Sequence, residues 1–589
     1  MIQNGEAAGA RWHLFVPKLI TVLRQGYGVG DLRDDVLAGL TVAIVALPLS
    51  MALAIASGAT PDKGLVTAIV AGFLISLLGG SRFQIGGPTG AFVVVVFDVI
   101  ARYGYDGLLT ATLMAGIIIC AGGLAGLGTY IKYIPQPVVT GFTAGIAVII
   151  FSSQMRDFFG LELAEVPAGF VDKWHAYAQN AASFDPSTLG LAAGSLALIL
   201  LLRTWLPKLP FFLIAIVAAA ALVPLLGLSI DTVGSRFGAV PNILPTPAWP
   251  DLSWSRLVEL LPSALTIAFL AAVESLLSAM VADGMTGRRH RSNCELVAQG
   301  IANCASALFG GLPATGAIAR TATNIRAGAR SPLAGVLHAV FLLLFMFALA
   351  PLMVHIPMAA LAAVLVVVAW NMSEAHRFVH LMSAPVGDRA VLIVTFLLTV
   401  LIDLTVAIEV GVVLAAIVFM HRMANVVAIQ SGPELIDRDV DDFLRPASDR
   451  YTLRAELPEG VELFQIHGPV FFGMANRLAA ALDRTGAWPK AIVLRMDRVP
   501  FMDATGAMTL NAFLKRCQLH GTFVVVTGVT RHVKKDLLRF GMTRPRRSVA
   551  VFNDFHRALE LARQKAQGNG RPALTVAGEP GHQEPARRS

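Results

Sequence analysis

Charge is scarce in this chain. Only 15% of its 589 residues are Asp, Glu, Lys or Arg, against about 25% in an ordinary soluble domain. With 55% hydrophobic residues beside it, that shortage excludes a wholly soluble protein and points to a membrane. Cysteine is scarce too. Cys120, Cys294, Cys304 and Cys517 show no CxxC spacing, so no disulfide and no metal site is expected; they read as small core hydrophobes. The net charge is +8, yet the basic groove with interleaved aromatics that nucleic acid requires is missing. So are a nucleophile elbow, a P-loop and a metal cluster, and neither enzyme activity nor a cofactor is expected. The first residues lack the basic-then-apolar pattern of a signal peptide, so 1–34 read as a cytoplasmic N-terminal segment.

What is present is apolar sequence, filling residues 35–425. Length and punctuation predict fourteen spans: 35–57, 64–80, 88–103, 108–128, 136–155, 186–203, 211–228, 257–282, 294–309, 315–326, 331–354, 356–370, 388–403 and 405–422. An even count puts both termini on one face. Basic loops such as "GRRHR" (287–291) make that face cytoplasmic, which implies a multi-pass membrane protein.

The apolar region repeats itself. "LTVAIVALPLS" from Leu40 aligns with "LTIAFLAAVES" from Leu265, an offset of 225 residues. "GGPTGAF" (86–92) returns as "LPATGAI" (312–318), which puts Thr89-Gly90-Ala91 against Thr315-Gly316-Ala317. Leu65-Val66 and Gly79-Gly80 recur in the same order at Leu296-Val297 and Gly310-Gly311. Seven spans per copy is odd, so the copies must insert with opposite orientation. The expected architecture is a polytopic α-helical membrane protein, a 7+7 inverted repeat of the kind secondary transporters use. Segments 88–103 and 315–326 are short and open on Gly or Pro, as half-helices starting inside the bilayer would. Two facing helix N-termini can hold an anion on unpaired N–H groups. Thr89 and Thr315 could cap those ends, and Gly90 and Gly316 could let an anion approach the backbone. The alternative is that both glycines serve close helix packing.

An ionisable side chain inside a span is a functional hypothesis by default. Glu274 lies mid-span, and its repeat mate is Leu49, so repeat symmetry does not require it. With Ser278 one turn on, it is a candidate site for H⁺ or Na⁺; the alternative is a silent pair with a basic residue. Arg320 follows the second tripeptide and could strengthen the anion field or neutralise Glu274. Asp403 and Glu409 read as interfacial or gating residues, and Asp98 is unassigned. His338, His355, His376 and His380 read as interfacial rather than metal-bound.

Beyond the spans the composition becomes that of a soluble protein. Residues 440–564 are expected to form a small α/β domain that serves assembly or regulation. The tail 565–589 is rich in Gly, Pro and charge and is expected to be disordered.

Several stretches resemble the sulfate-permease type of anion transporter, the family that includes the solute carrier 26 proteins: "DVLAGLTVAIVALPLSMALA" (35–54), "GGSRFQIGGPTGAF" (79–92), "ESLLSAMVADGMTGRRHRSNCELVAQGIAN" (274–303) and "FGGLPATGAIARTATNIRAGARSPLAG" (309–335). "HGPVFFG" (467–473) and "MDATG" (502–506) resemble the sulfate-transporter and anti-sigma-factor-antagonist domain, and "VAWNMSEAHR" (368–377) looks most like the bacterial C4-dicarboxylate carriers. The resemblance implies a homodimer with an elevator-like motion, spans 1–4 and 8–11 moving against 5–7 and 12–14. It implies an anion site at Pro48, Thr89, Gly90, Ala91, Thr315, Gly316, Ala317, Ala319 and Arg320, with coupling at Glu274 and Ser278. The implied activity is H⁺-coupled transport of a C4-dicarboxylate, sulfate or bicarbonate. The alternatives are a Na⁺-coupled bicarbonate symporter and an uncoupled exchanger or channel. The chain departs from the pattern at Leu49, where many relatives have Gln, and at Ala319, where many have Ser; the first departure removes a polar contact, and the two together argue against a sulfate-specific site. Ala504 stands at the domain's phosphorylatable Ser position, beside Thr505.

Overall fold

The computed structural model describes residues 15–131, 135–163, 166–167, 169–206, 209–402, 404–426, 428–431, 457–470, 488–539, 549–552 and 554–568. Asp403, residues 471–487 of the expected α/β domain and most of the tail lie outside them. The chain divides into two compact units, up to Ala415 and from Ala416.

The first unit is helical. It opens with α1 (Lys18–Arg24), α2 (Val29–Ala56) and α3 (Pro61–Leu78), then a two-residue strand β1 (Gly86–Gly87) and α4 (Val93–Leu124). Next come α5 (Gly128–Ile131), α6 (Gln136–Ser153), α7 (Met155–Phe159), α8 (Phe170–Gln179), α9 (Pro186–Trp205), α10 (Phe211–Leu226) and α11 (Val233–Phe237). The second half holds α12 (Trp254–Thr286), α13 (Ser292–Leu308), β2 (Thr315–Gly316), α14 (Ile318–Arg326), α15 (Leu333–Met353), α16 (Met358–Met372), α17 (Ala375–Leu381), α18 (Val386–Leu401) and the start of α19 (Leu404–Val426), in which the unit boundary falls. Among the described residues nine helices are long and apolar enough to cross a membrane, and α10 is a shorter apolar one. The spans expected at 88–103 and 108–128 are the two helical segments of α4, which meet at a kink. The backbone leaves helical geometry at Gly104 (φ 72°, ψ 177°), a conformation open to glycine and strained for other residues.

Packing sorts the helices into two groups. α2, α3 and α4 pack against α12, α13 and α15, while α6 and α9 pack against α16 and α18. The joint between the repeats is β1 against β2. Gly86 pairs with Gly316 and Gly87 with Thr315 in an antiparallel ladder. In a bilayer every backbone polar group needs an internal partner, and this ladder satisfies the extended stretches that precede the two short helices.

The second unit holds a five-stranded sheet in the order β3 (Ala428–Ser431), β4 (Val461–His467), β5 (Ala491–Arg495), β6 (Phe523–Thr527), β7 (Val549–Phe552). β3 is antiparallel to β4, and the remaining pairs are parallel. Parallel strands read apolar on both faces because helices cover both. Phe464, Ile492 and Val524 pack with Leu510 and Cys517 of helix α20 (Ala504–Leu519). Leu463, Val493 and Val525 pack on the other face with Ala558 and Ala562 of α22 (Phe555–Ala566), which follows α21 (Arg531–Arg539). Asp503 caps α20 through a 2.6 Å bond from the Gly506 N–H. Ala504 and Thr505 are exposed at that helix start. The sheet takes in residues 428–431, ahead of the boundary expected at 440.

Candidate functional site

The site grows from the two short helix starts. In the first copy Pro88 and Thr89 leave β1, a single 3₁₀ turn spans Gly90–Phe92, and α4 follows. In the second copy β2 ends at Gly316, Ala317 is the N-cap, and α14 begins at Ile318. The N–H groups of Ile318, Ala319 and Arg320 open a helix and have no acceptor inside it. Ala319 is exposed, whereas Thr89, Gly90, Ala91, Thr315, Gly316 and Ala317 are buried.

The threonines do not cap. Thr89 Oγ1 donates to Glu274 Oε2 at 2.9 Å, and neither short helix has a side-chain cap. Thr315 Oγ1 accepts from Ser275 Oγ at 3.1 Å. The Gly316 N–H donates to Ser275 Oγ at 3.1 Å, and the Ala317 N–H to the Ile85 carbonyl at 2.8 Å. Those two N–H groups are therefore spent inside the protein and are not offered to an anion. The space beside each glycine is filled as well. A Cβ on Gly316 would fall 1.5 Å from Gln84 Nε2, and one on Gly90 2.2 Å from Met372 Sδ. Close packing, the alternative left open by the sequence, explains both glycines.

Arg320 is 2% exposed. Its Nη2 donates to Ser50 Oγ at 3.1 Å, while Nε and Nη1 have no partner. Gly87 (φ 152°) makes room for this guanidinium, since a Cβ there would lie 2.4 Å from Nη1. Glu274 on α12 is only partly buried. Among the described residues no ion pair joins it to Arg320 or to any other cation, so neither the mutual neutralisation nor the silent pair envisaged from sequence is formed. Ser278 Oγ donates to Thr321 Oγ1 at 3.2 Å, and Thr321 Oγ1 in turn accepts from the Ile85 N–H at 3.1 Å. That hydroxyl joins α12 to α14 and does not meet Glu274. Pro48 and Leu49 are buried in α2 beside Ser50.

Several site residues escaped the sequence reading. Ser50 and Ser275 are repeat mates at the ends of "ALPLS" and "AAVES", and each hydroxyl holds one part of the centre. The alignment was the signal for them. Gln84 carried none: its Nε2 donates to the Ser275 carbonyl at 3.1 Å. His338, expected at an interface, is completely buried in α15, and both its ring nitrogens lack partners. His355, His376 and His380 are exposed, as is Glu409. Asp98 pairs with Arg102 at 2.8 Å. All four cysteines are free.

The chain resembles known proteins over most of its length. The sulfate permease family model matches residues 32–395, and the STAS domain model matches 452–558. YvdB of Bacillus subtilis, which carries a sulfate-transporter name, is 40% identical over 88% of this chain and 95% of its own length. The bicarbonate transporter BicA of Picosynechococcus is 30% identical over 86% of this chain and 90% of its own. The structure of SLC26A9 superposes with a TM-score of 0.81 at 18% identity, covering 96% of this chain and 95% of that one, and at that identity shows the fold alone.

Proposed function

Since this chain belongs to the sulfate permease family and keeps both of its half-helix starts, we propose that it is a secondary active transporter of a sulfate- or bicarbonate-class anion, coupled to H⁺ through Glu274. The observation that carries the reading is the pair of unmatched charges at the crossing of the repeats. Arg320 presents a guanidinium with two nitrogens unbonded, and Glu274 has one hydroxyl for a partner and no cation. An intramembrane charge is expensive, and two held apart at one site make sense where mobile ions complete them. The anion would lie against the Ile318–Arg320 N–H groups and the Arg320 field, beside exposed Ala319. A proton on Glu274 would offset the charge carried across.

The names of the relatives point to sulfate and bicarbonate; "VAWNMSEAHR" keeps C4-dicarboxylates in the comparison. The two packing groups suit an elevator-like motion of α2–α4 with α12–α15 against α6, α9, α16 and α18. The family resemblance favours a homodimer in a bacterial inner membrane with cytoplasmic termini. Uptake of labelled sulfate, bicarbonate, succinate and fumarate into proteoliposomes under imposed H⁺ or Na⁺ gradients tests the reading. Accumulation of sulfate or bicarbonate driven by ΔpH is expected. Accumulation driven only by Na⁺, or equilibration without accumulation, would overturn the coupling assignment.

A further inference from the structure

A cavity of about 720 Å³ opens beside the C-terminal end of α2 and the first turns of α4. Its wall includes Val93 and Val94, which directly follow the 3₁₀ turn of the candidate site. It lies at the end of α2 remote from the N-terminus. Among its described lining residues, Arg102, Arg156, Lys173 and Arg236 face only two carboxylates, Asp98 and Asp157.

Two of these cations are matched. Arg102 pairs with Asp98 at 2.8 Å, and Arg236 pairs with Asp157 at 2.8 Å and Asp231 at 3.0 Å. Lys173 differs. It sits on α8, a short helix outside the spans, anchored by Trp174 Nε1 donating to Ser152 Oγ at 3.1 Å. Lys173 is 5% exposed, lines the cavity, and lies over the Phe97 ring at 5.7 Å from its centroid. Among the described residues no carboxylate, carbonyl or hydroxyl meets its Nζ. A lysine this buried almost always has a partner, and a cavity-facing ammonium without one is a ready anion ligand. Burial also pulls the Lys173 pKa below the usual lysine range, so the ammonium keeps its proton best with an anion beside it.

We propose that Lys173 forms a second, outer anion site, where a small oxyanion of the sulfate or bicarbonate class binds before it reaches the centre between Glu274 and Arg320. The order of the two sites rests on the transporter reading, whereas occupancy of the outer site is measurable without transport. The full-length protein in vesicles is treated with formaldehyde and cyanoborohydride, and methylation of Lys173 is followed by mass spectrometry in sulfate, in bicarbonate and in gluconate of equal ionic strength. Exposed Lys515 is the internal control. Either small anion is expected to slow methylation at Lys173 several-fold and to leave Lys515 unchanged. The same protection is expected in Ala319→Phe, where the inner site is blocked. Equal rates in all three salts would overturn the proposal, as would protection that disappears in Ala319→Phe. In uptake from the cavity side, Lys173→Gln should raise KM about tenfold, the weight of one charge-assisted hydrogen bond, with kcat unchanged, and Lys173→Arg should restore it. An unchanged KM would count against the site. Protection without transport of either anion would uphold the outer site and sink the transporter reading.

Discussion

Thr89 and Glu274 stand 185 residues apart, and the hydroxyl of the first donates a 2.9 Å hydrogen bond to the carboxylate of the second. One residue leads into the first short helix; the other lies mid-way along α12. The bond ties the helix start of the first repeat to a carboxylate of the second. It is charge-assisted while Glu274 is ionised and weaker once Glu274 takes a proton. Protonation of Glu274 would thus be a local event with a structural consequence at the Thr89 helix start.

Glu274→Gln imitates the protonated form. It should still bind and exchange anion, and it should lose uphill accumulation driven by a pH gradient. Both are measured in one liposome preparation. If the variant concentrates substrate as the wild type does, Glu274 is structural.

Ala319 and Gly316 should respond differently to bulk. Ala319 faces open space, so Ala319→Phe should fold normally and lower anion affinity at least about tenfold by blocking the α14 N-terminus. Gly316→Leu drives a side chain into Gln84 and the β1–β2 ladder, an overpacking cost of about 1–3 kcal/mol or more. It should appear as lower thermal stability in detergent. Wild-type affinity in Ala319→Phe would move the anion elsewhere.

Arg320 and Gly87 form a matched pair. Arg320→Gln should reduce anion affinity without changing the anion preference. Gly87→Ala, which pushes on the guanidinium in a backbone conformation suited to glycine, should lower both affinity and stability. Uptake and melting curves separate the two. A stable Gly87→Ala protein of normal affinity would show that Arg320 has room to move.

Removal of residues 428–589 takes away the whole sheet, β3 included. The expected result is slower transport or weaker assembly with the same set of anions carried. A folded truncation that carries a different set would place part of the specificity in the soluble unit.

Cys517 tests that unit by pH. Burial pushes its thiol up to about 12, above the ordinary value of about 8.5. The folded state keeps a proton that the unfolded chain releases. This contribution to stability is complete below about pH 8.5 and is lost as pH rises toward 12. Alkylation of Cys517, read by mass spectrometry, should stay slow through pH 9 and become fast on unfolding. Rapid labelling of the folded protein at pH 8 would contradict the burial.

The membrane class and the repeat were already determined by the sequence, because each is written in local pattern. Apolar runs report spans; a tripeptide returning with its neighbours reports symmetry; Gly104 marks the break between two runs that length and punctuation already separate. Glu274 and Arg320 stood out because charge inside a span is costly wherever it packs. Partnership, by contrast, was decided only by tertiary structure. Nothing local says that Ser50 meets Arg320 across 270 residues, or that Ser275 takes the Gly316 N–H. Nor does it say that Gln84 and Met372 occupy the space the glycines leave. Nor does any local pattern mark Lys173, which the fold buries without a counter-charge. Those facts depend on which faces meet. In a protein whose helices are apolar all round, the pattern along each helix does not say which face that is.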